Sequence, residues 1–186
     1  DFMSRRVPVD KFAMIYAGAQ KNAGPAGATI VILREDMLAK CPESIVAYLD
    51  YRLHAKEDSL YNTPPVFSIW GIKLVMEWVK QQGGLPAMEK LADERAKIIY
   101  GAIERSKGFY NCPVPKACQS KMNIVFRMKT EELEGKFLEE AKKRKLDGLK
   151  GHRSVGGCRA SVYNAMPVDG AKALAQLMDD FAKANG

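Results

Sequence analysis

The sequence lacks the features that mark membrane, zinc-binding and disulfide-rich proteins. No apolar run approaches the roughly 20 residues that a membrane-spanning helix needs, so we predict no membrane span. No C-x-x-C pair is present and the cysteines lie far apart, which favours reduced thiols over a disulfide framework and predicts no metal site. These cysteines are Cys41, Cys112, Cys118 and Cys158.

Signatures of targeting and of nucleic-acid binding are also missing. No signal peptide is recognisable at Asp1, which favours a cytoplasmic location and leaves an organelle such as a plastid open. Lys and Arg number 29 against 22 for Asp and Glu, and this net charge of +7 favours anionic partners. The basic residues are spread along the chain without a nucleic-acid-binding motif, so phosphorylated small molecules are the better candidates.

One lysine has an unusual setting between two apolar runs. Residues 12–17 and 28–33 are short, apolar and partly β-branched or aromatic, which predicts two buried strands. Gly18 and Gly24 in the segment between them are residues of turns and of close backbone approach. The pattern therefore presents Lys21 on a turn of small residues at the end of a buried strand.

Spacing alone leaves two roles open for Lys21. The segment does not match a P-loop, because no glycine precedes the lysine and Asn22 follows it in place of Ser or Thr. An ordinary surface lysine on a hairpin turn fits the pattern. A Schiff-base lysine also fits, because a desolvated amine has a lowered pKa and small neighbours leave room for the carrier of an aldehyde.

The remaining pattern predicts helices followed by a small α+β domain. Residues 44–63 show no sustained period and are expected to be mostly loop. Apolar positions at helical spacing and short alternating runs predict the other elements. Helices are expected at 67–82, 86–106, 131–144 and 168–184, a short helical turn at 34–43, and strands at 109–112, 122–128 and 159–163.

Three segments resemble one enzyme family. The strings YAGAQKNAGPAG at residues 16–27, LYNTPP at 60–65 and KGHRSVGGCRASVYNA at 150–165 are similar to segments of phosphoserine aminotransferases. These are class V enzymes of fold type I that use pyridoxal 5'-phosphate. The resemblance extends over essentially the whole chain and implies an α/β fold of that type.

The resemblance implies roles for four residues around the cofactor. Lys21 is expected to form the Schiff base with the cofactor aldehyde and then to act as general base. Gln20 is expected beside the cofactor, although an amide that caps the turn is the alternative. Asn62 and Thr63 resemble residues that bind the cofactor phosphate of the neighbouring subunit, which implies a homodimer. On sequence alone, Asn-Thr before Pro-Pro indicates only a helix entry.

The resemblance also implies a substrate site at residues 151–159. His152 and Arg153 are expected to receive the substrate phosphate. Arg159 is expected to hold the α-carboxylate, because a planar guanidinium can grip a carboxylate bidentately. From the residues alone, a basic loop between strands is the simpler interpretation.

The implied reaction is transamination between 3-phosphohydroxypyruvate with glutamate and O-phospho-L-serine with 2-oxoglutarate, in serine biosynthesis. Some members also act on a phosphorylated hydroxythreonine in vitamin B6 synthesis. In the family the cofactor lysine lies near the middle of a longer chain. Residues 1–64 are therefore expected to end the large cofactor domain, and residues 65–186 to form connecting helices and the small C-terminal domain.

The resemblance places several parts of the site in an N-terminal half that precedes these residues. They are the aromatic ring stacker, the aspartate at the pyridine nitrogen and a further basic group for the substrate phosphate. This chain alone is therefore expected to be inactive. Two alternatives are kept: an aminotransferase of the alanine–glyoxylate or serine–pyruvate type, which does not need the His152–Arg153 pair, and a piece with only a structural role.

Overall fold

The computed structural model describes residues 2–186, which form two compact units. The hairpin unit consists of Phe2 and Arg6–Gln82, and the C-terminal unit contains Met3–Arg5 and Gly83–Gly186. This division follows contacts and does not test the domain boundary expected near residue 64, which stays a prediction. Within residues 2–186, no helix is both long and apolar enough to cross a membrane.

The two apolar runs around Lys21 pair as an antiparallel hairpin, which confirms both predicted strands. Strand β1 (Met14–Gly18) and strand β2 (Thr29–Leu33) pair with Tyr16 opposite Val31. The predicted burial is wrong for the described chain, because Tyr16 is 72% exposed and Val31 is 38% exposed. A two-stranded hairpin needs a further layer to bury its face, and the described hairpin unit leaves this face open to solvent.

A short helix lies in the segment that was expected to be mostly loop. This helix is α1 (Tyr51–Lys56). Before that segment, a 3₁₀ turn at Glu35–Lys40 confirms the predicted helical turn. The side chain of Asp50 caps α1 by accepting a hydrogen bond from the backbone N–H of Arg52 at 2.9 Å. A cap rather than an amphipathic period defines this helix, so periodicity missed it.

Helix α2 (Val66–Gln81) confirms the next predicted helix and ends the hairpin unit. It carries both tryptophans of the chain, Trp70 and Trp78. Pro65 directly precedes its first turn, where the missing N–H of proline is tolerated. Beyond Gln82 the backbone turns at Gly83 with φ 102°, a left-handed conformation that favours glycine.

The C-terminal unit combines three helices with one antiparallel pair of strands, as an α+β pattern predicts. Val125 on one strand pairs with Arg159 on the other. The predicted strand at 109–112 is wrong, because that segment makes only one isolated bridge, between Asn111 and Arg127. The elements are α3 (Gly84–Arg105), β3 (Asn123–Phe126), α4 (Glu131–Lys143), β4 (Cys158–Ser161) and α5 (Val168–Asn185).

Edge-to-face aromatic contacts fill the core of the C-terminal unit. Phe137 lies 5.7 Å from Phe126 and 5.3 Å from Phe181, measured between ring centroids. The Tyr110 hydroxyl donates to the carbonyl of Met178 at 2.9 Å, and burial raises the pKa of that hydroxyl. Burial of the Tyr110 ring and the single bridge at Asn111 therefore hold this segment without a strand ladder.

Two hydrogen bonds to the backbone join distant parts of the C-terminal unit at the turn before α5. The buried Arg95 donates through Nη1 to the carbonyl of Met166 at 2.7 Å. Asn164 donates through Nδ2 to the carbonyl of Met3 at 2.8 Å. Asn164 therefore links Met3 to the turn between β4 and α5, and Arg95 links that turn to α3.

Candidate active site

The lysine turn, defined as residues 19–28, connects β1 to β2 and is closed by its own backbone. The carbonyl of Ala19 accepts hydrogen bonds from the N–H groups of Lys21 at 2.6 Å and Gly24 at 2.9 Å. Ala19 is fully buried, whereas Lys21 is exposed. The turn therefore buries Ala19 and Ala23 and presents Lys21 at its surface.

Gly24 and Pro25 of the lysine turn pack against α2, and the contact leaves no space for larger residues. A Cβ atom on Gly24 would lie 3.0 Å from the Ile72 side chain and 3.2 Å from its backbone. From the helix side, a Cβ atom on Gly71 would lie 2.8 Å from the ring of Pro25. These positions need glycine, and the close approach fixes the lysine turn on one face of α2.

Ser68 fastens this contact with a hydrogen bond between residues far apart in the sequence. Its hydroxyl donates to the carbonyl of Ala26 at 2.7 Å, and Ser68 is 8% exposed. Sequence reasoning missed Ser68, because a serine in the first turn of a helix has no local pattern that links it to a distant loop. The structure identifies it as a residue that holds the lysine turn.

A Ser68→Ala variant of the 186-residue chain is expected to loosen the lysine turn. It leaves the Ala26 carbonyl without this donor, a loss of about 1–2 kcal/mol that corresponds to roughly 5- to 30-fold faster exchange of the Gly24 amide hydrogen. Hydrogen exchange followed by NMR measures the change. Ser44→Ala, at an exposed site in the same unit, is the control. Equal exchange rates in the two variants would show that Ser68 does not hold the turn.

The other predicted cofactor residues also lie in the hairpin unit. A Cβ atom on Gly18 would lie 2.5 Å from Oε1 of Gln20, so the Gln20 amide folds back across that glycine. Asn62 and Thr63 are exposed just before α2, and Asn62 donates through Nδ2 to the Thr63 carbonyl at 3.1 Å. Their roles toward a cofactor stay predictions.

The 151–157 loop, which contains two predicted substrate residues, closes on itself. The N–H of Gly151 donates to the Gly157 carbonyl at 2.8 Å, and the His152 carbonyl accepts from the N–H of Gly156 at 2.8 Å. His152 and Arg153 are both exposed on this loop. Nδ1 of His152 lies 2.7 Å from the Ser154 hydroxyl, which holds the imidazole at the surface.

Arg159 stands on the strand that follows this loop. Its N–H donates to the Leu149 carbonyl at 2.8 Å, which ties β4 to the segment before the loop. Its Nε is buried and has no hydrogen-bond partner within residues 2–186. Because buried donors are normally satisfied, this nitrogen is suited to an acceptor such as a carboxylate.

The structure groups the predicted site residues into two sets. Gln20 and Lys21 share one turn of the hairpin unit, and Asn62 and Thr63 lie before α2 in the same unit. His152, Arg153 and Arg159 lie on one loop and its following strand in the C-terminal unit. The structure thus places each set within one unit, and the roles of these residues stay predictions.

Comparison with known sequences identifies the relatives of this chain. A family model described as aminotransferase class-V matches residues 1–174. The phosphoserine aminotransferase of Geobacillus kaustophilus is 52% identical over 183 residues, which are 98% of this chain and 51% of that protein. The chain spans about half the length of the curated relatives it matches.

Solved structures of similar proteins share the fold. One phosphoserine aminotransferase, described for radiation damage of its Schiff base, matches with a TM-score of 0.94 at 49% identity and covers 99% of this chain and 51% of that one. The PLP-bound phosphoserine aminotransferase of Trichomonas vaginalis matches with a TM-score of 0.88 at 39% identity, over 95% of this chain and 51% of that one. These matches confirm the predicted fold type I class.

Proposed function

The chain belongs to the class-V aminotransferase family, and on that premise we propose that it forms the C-terminal half of a phosphoserine aminotransferase. The enzyme passes the amino group of glutamate to 3-phosphohydroxypyruvate, giving O-phospho-L-serine and 2-oxoglutarate. Its cofactor is pyridoxal 5'-phosphate, and its place is in serine biosynthesis. The near-complete coverage of this chain by enzymes of that name supports the proposal.

One observation favours a phosphorylated substrate over other amino acids. The closed 151–157 loop exposes His152 and Arg153 together, a short distance in sequence before Arg159. An α-carboxylate needs one guanidinium, so the additional imidazole and guanidinium are available for a second anionic group. A phosphate dianion takes several donors, which this pair supplies in part.

The residues of the hairpin unit fit pyridoxal phosphate. The exposed Lys21 amine stands on a rigid turn of small residues, where a flat ring can approach the backbone. The amide of Asn62 and the hydroxyl of Thr63 are exposed just before α2 and suit a phosphate group. When bound, the cofactor supplies an aldehyde that takes up amino groups and a ring that accepts electrons.

Residues of this chain account for proton transfer and substrate binding. Lys21 would hold the cofactor through its amine. Its freed Nζ would take the proton from Cα of the amino donor in one half-reaction and give a proton to Cα of the keto acid in the other. Arg159 binds the substrate α-carboxylate and so fixes the orientation of Cα. His152 and Arg153 bind the phosphate at the other end, which selects the substrate.

We also propose that the enzyme is a homodimer, in which Asn62 and Thr63 serve the cofactor of the partner subunit. In that arrangement the chain supplies only part of each site. An N-terminal half supplies the ring stacker, the partner of the pyridine nitrogen and a further phosphate ligand. The isolated chain is therefore inactive in transamination.

Arg153→Ala in the full-length enzyme tests this proposal. The variant is expected to lose about 10- to 100-fold in kcat/KM for phosphoserine, because a charge-assisted hydrogen bond to the phosphate is removed. The loss for glutamate is expected to be at least about fivefold smaller, since glutamate carries no dianionic group. Steady-state kinetics with each amino donor measures both values.

Arg144→Ala provides the matched control, because Arg144 is an exposed arginine of the same unit paired with Asp180 at 2.8 Å. It is expected to leave both values of kcat/KM unchanged. Equal losses for the two donors in Arg153→Ala would reject phosphate recognition and favour an aminotransferase of the alanine–glyoxylate or serine–pyruvate type. A wild-type enzyme without activity on phosphoserine would reject the proposed function itself.

A further inference from the structure

We infer that Arg127 is a positioning residue that, together with Glu134, fixes the 151–157 loop for phosphate binding. The inference rests on the proposed function, because that function gives the loop its phosphate ligand. It deepens that function by assigning part of the substrate selectivity to a side chain outside the loop. Arg127 follows β3, and no sequence pattern distinguishes it from the other basic residues of the chain.

Arg127 lies against the C-terminal part of the 151–157 loop. Its Nη2 donates a hydrogen bond to the carbonyl of Val155. A Cβ atom on Gly156 would lie 2.6 Å from that Nη2, and one on Gly157 would lie 3.0 Å from Cγ of Arg127. Both glycines have positive φ, of 75° and 70°. The loop therefore closes directly onto the arginine, and only glycine allows this approach.

Arg127 is itself held from two sides. Its backbone N–H and C=O pair with Asn111 at 2.8 and 2.9 Å. Its Nε lies 4.0 Å from Oε1 of Glu134, which is 8% exposed; this contact is an ion pair without a hydrogen bond. The same carboxylate oxygen accepts the N–H of Met128 at 3.2 Å, so its position is fixed by the backbone. The partly exposed side chain of Arg127 therefore connects this fixed carboxylate to the 151–157 loop.

Charge explains why this support matters for an anion. Arg127 places the positive charge of its guanidinium against the loop, at the carbonyl of Val155. Without it, the carboxylate of Glu134 would stand near the loop without a cation and would oppose a bound phosphate. A loop that is already closed also loses less conformational entropy when the ligand binds. Arg127 therefore acts on His152 and Arg153 through the loop backbone.

Three variants separate these contributions. Arg127→Met removes the donor and the charge, Arg127→Lys keeps the charge and one donor, and Arg127→Met with Glu134→Gln removes both charges of the pair. Arg144→Met is the control, since it removes an exposed, ion-paired arginine from the same unit. Hydrogen exchange of the Gly156 amide in the 186-residue chain and steady-state kinetics of the full-length enzyme are the two readouts.

In the chain, Arg127→Met is expected to speed exchange of the Gly156 amide by about tenfold. In the enzyme, it is expected to raise KM for phosphoserine by about tenfold, with KM for glutamate within about twofold and kcat within about threefold. Arg127→Lys is expected to restore most of the KM. The double variant is expected to bind phosphoserine better than Arg127→Met alone, because the uncompensated carboxylate is gone.

Unchanged exchange in Arg127→Met would overturn the inference, and so would an equal rise of both KM values with no rescue by lysine, because that is the result of a merely structural role. The exchange readout needs no substrate and judges the support of the loop independently. If the wild-type enzyme does not use phosphoserine while Arg127→Met still speeds exchange, the proposed function fails and the positioning of the loop by Arg127 stands.

Discussion

Replacing Lys21 with alanine is expected to lower kcat of the full-length enzyme by at least about 10³-fold, because one amine serves as both nucleophile and base. The backbone of the lysine turn should be preserved. The N–H groups of Lys21 and Gly24 bond to the Ala19 carbonyl, and the Ser68 hydroxyl bonds to the Ala26 carbonyl, and none of these uses the lysine side chain. The loss is therefore expected in chemistry rather than in folding.

Chemical trapping tests the same residue without relying on turnover. The enzyme is incubated with pyridoxal phosphate, reduced with borohydride and digested, and the peptide that gains the cofactor mass is identified by mass spectrometry. The label is expected on the peptide that contains Lys21 and is expected to be absent from Lys21→Ala. Lys11→Ala, an exposed lysine of the same unit, should retain it. Label scattered over surface lysines in the wild type would reject the assignment.

Alanine at Gly151 is expected to have the second largest effect. A Cβ atom there would overlap the Gly156 carbonyl oxygen and lie 2.7 Å from that of Gly157. Backbone carbonyls cannot move aside as a flexible side chain can, so the base of the 151–157 loop must open. This displaces His152 and Arg153, and kcat/KM for phosphoserine is expected to fall about 100-fold, as when substrate-positioning groups are misplaced.

Gly135→Ala is the matched control for this substitution. Gly135 lies within α4, and a Cβ atom there would meet nothing within 4 Å. Because alanine is the better helix former, this variant is expected to gain about 0.5–1 kcal/mol in free energy of unfolding, with unchanged kinetics. Thermal unfolding and steady-state kinetics measure both variants. Gly151→Ala with wild-type kinetics would show that the closed loop is not needed for the substrate.

Periodicity predicted the long helices well and the strands less well. Helices α2 to α5 carry sustained apolar stripes that need no knowledge of their neighbours. The segment 109–112 has a strand-like composition, yet Tyr110 is buried among aromatic rings and the backbone pairs at one bridge only. Strand pairing depends on a partner elsewhere in the chain, which composition cannot supply.

The same limit applies to the residues of the candidate site: contiguous motifs identify some of them, and only the structure identifies the others. Lys21 and the 151–159 segment stand in contiguous motifs, so the sequence was enough to select them. Ser68 and Arg127 act on loops 42 and 28 positions away, through a hydrogen bond to a backbone carbonyl in each case. Any residue can supply a backbone carbonyl as acceptor, so no sequence motif could have identified these two donors.

The distribution of aromatic residues gives the two units different optical signals. Both tryptophans lie on α2 in the hairpin unit, whereas the buried aromatic residues in the core of the C-terminal unit are Tyr110, Phe126, Phe137 and Phe181. Tryptophan fluorescence therefore reports on the hairpin unit alone, and near-ultraviolet circular dichroism adds the packed rings of the other unit. A single melting experiment observed with both probes can thus follow the two units separately, without any label or mutation.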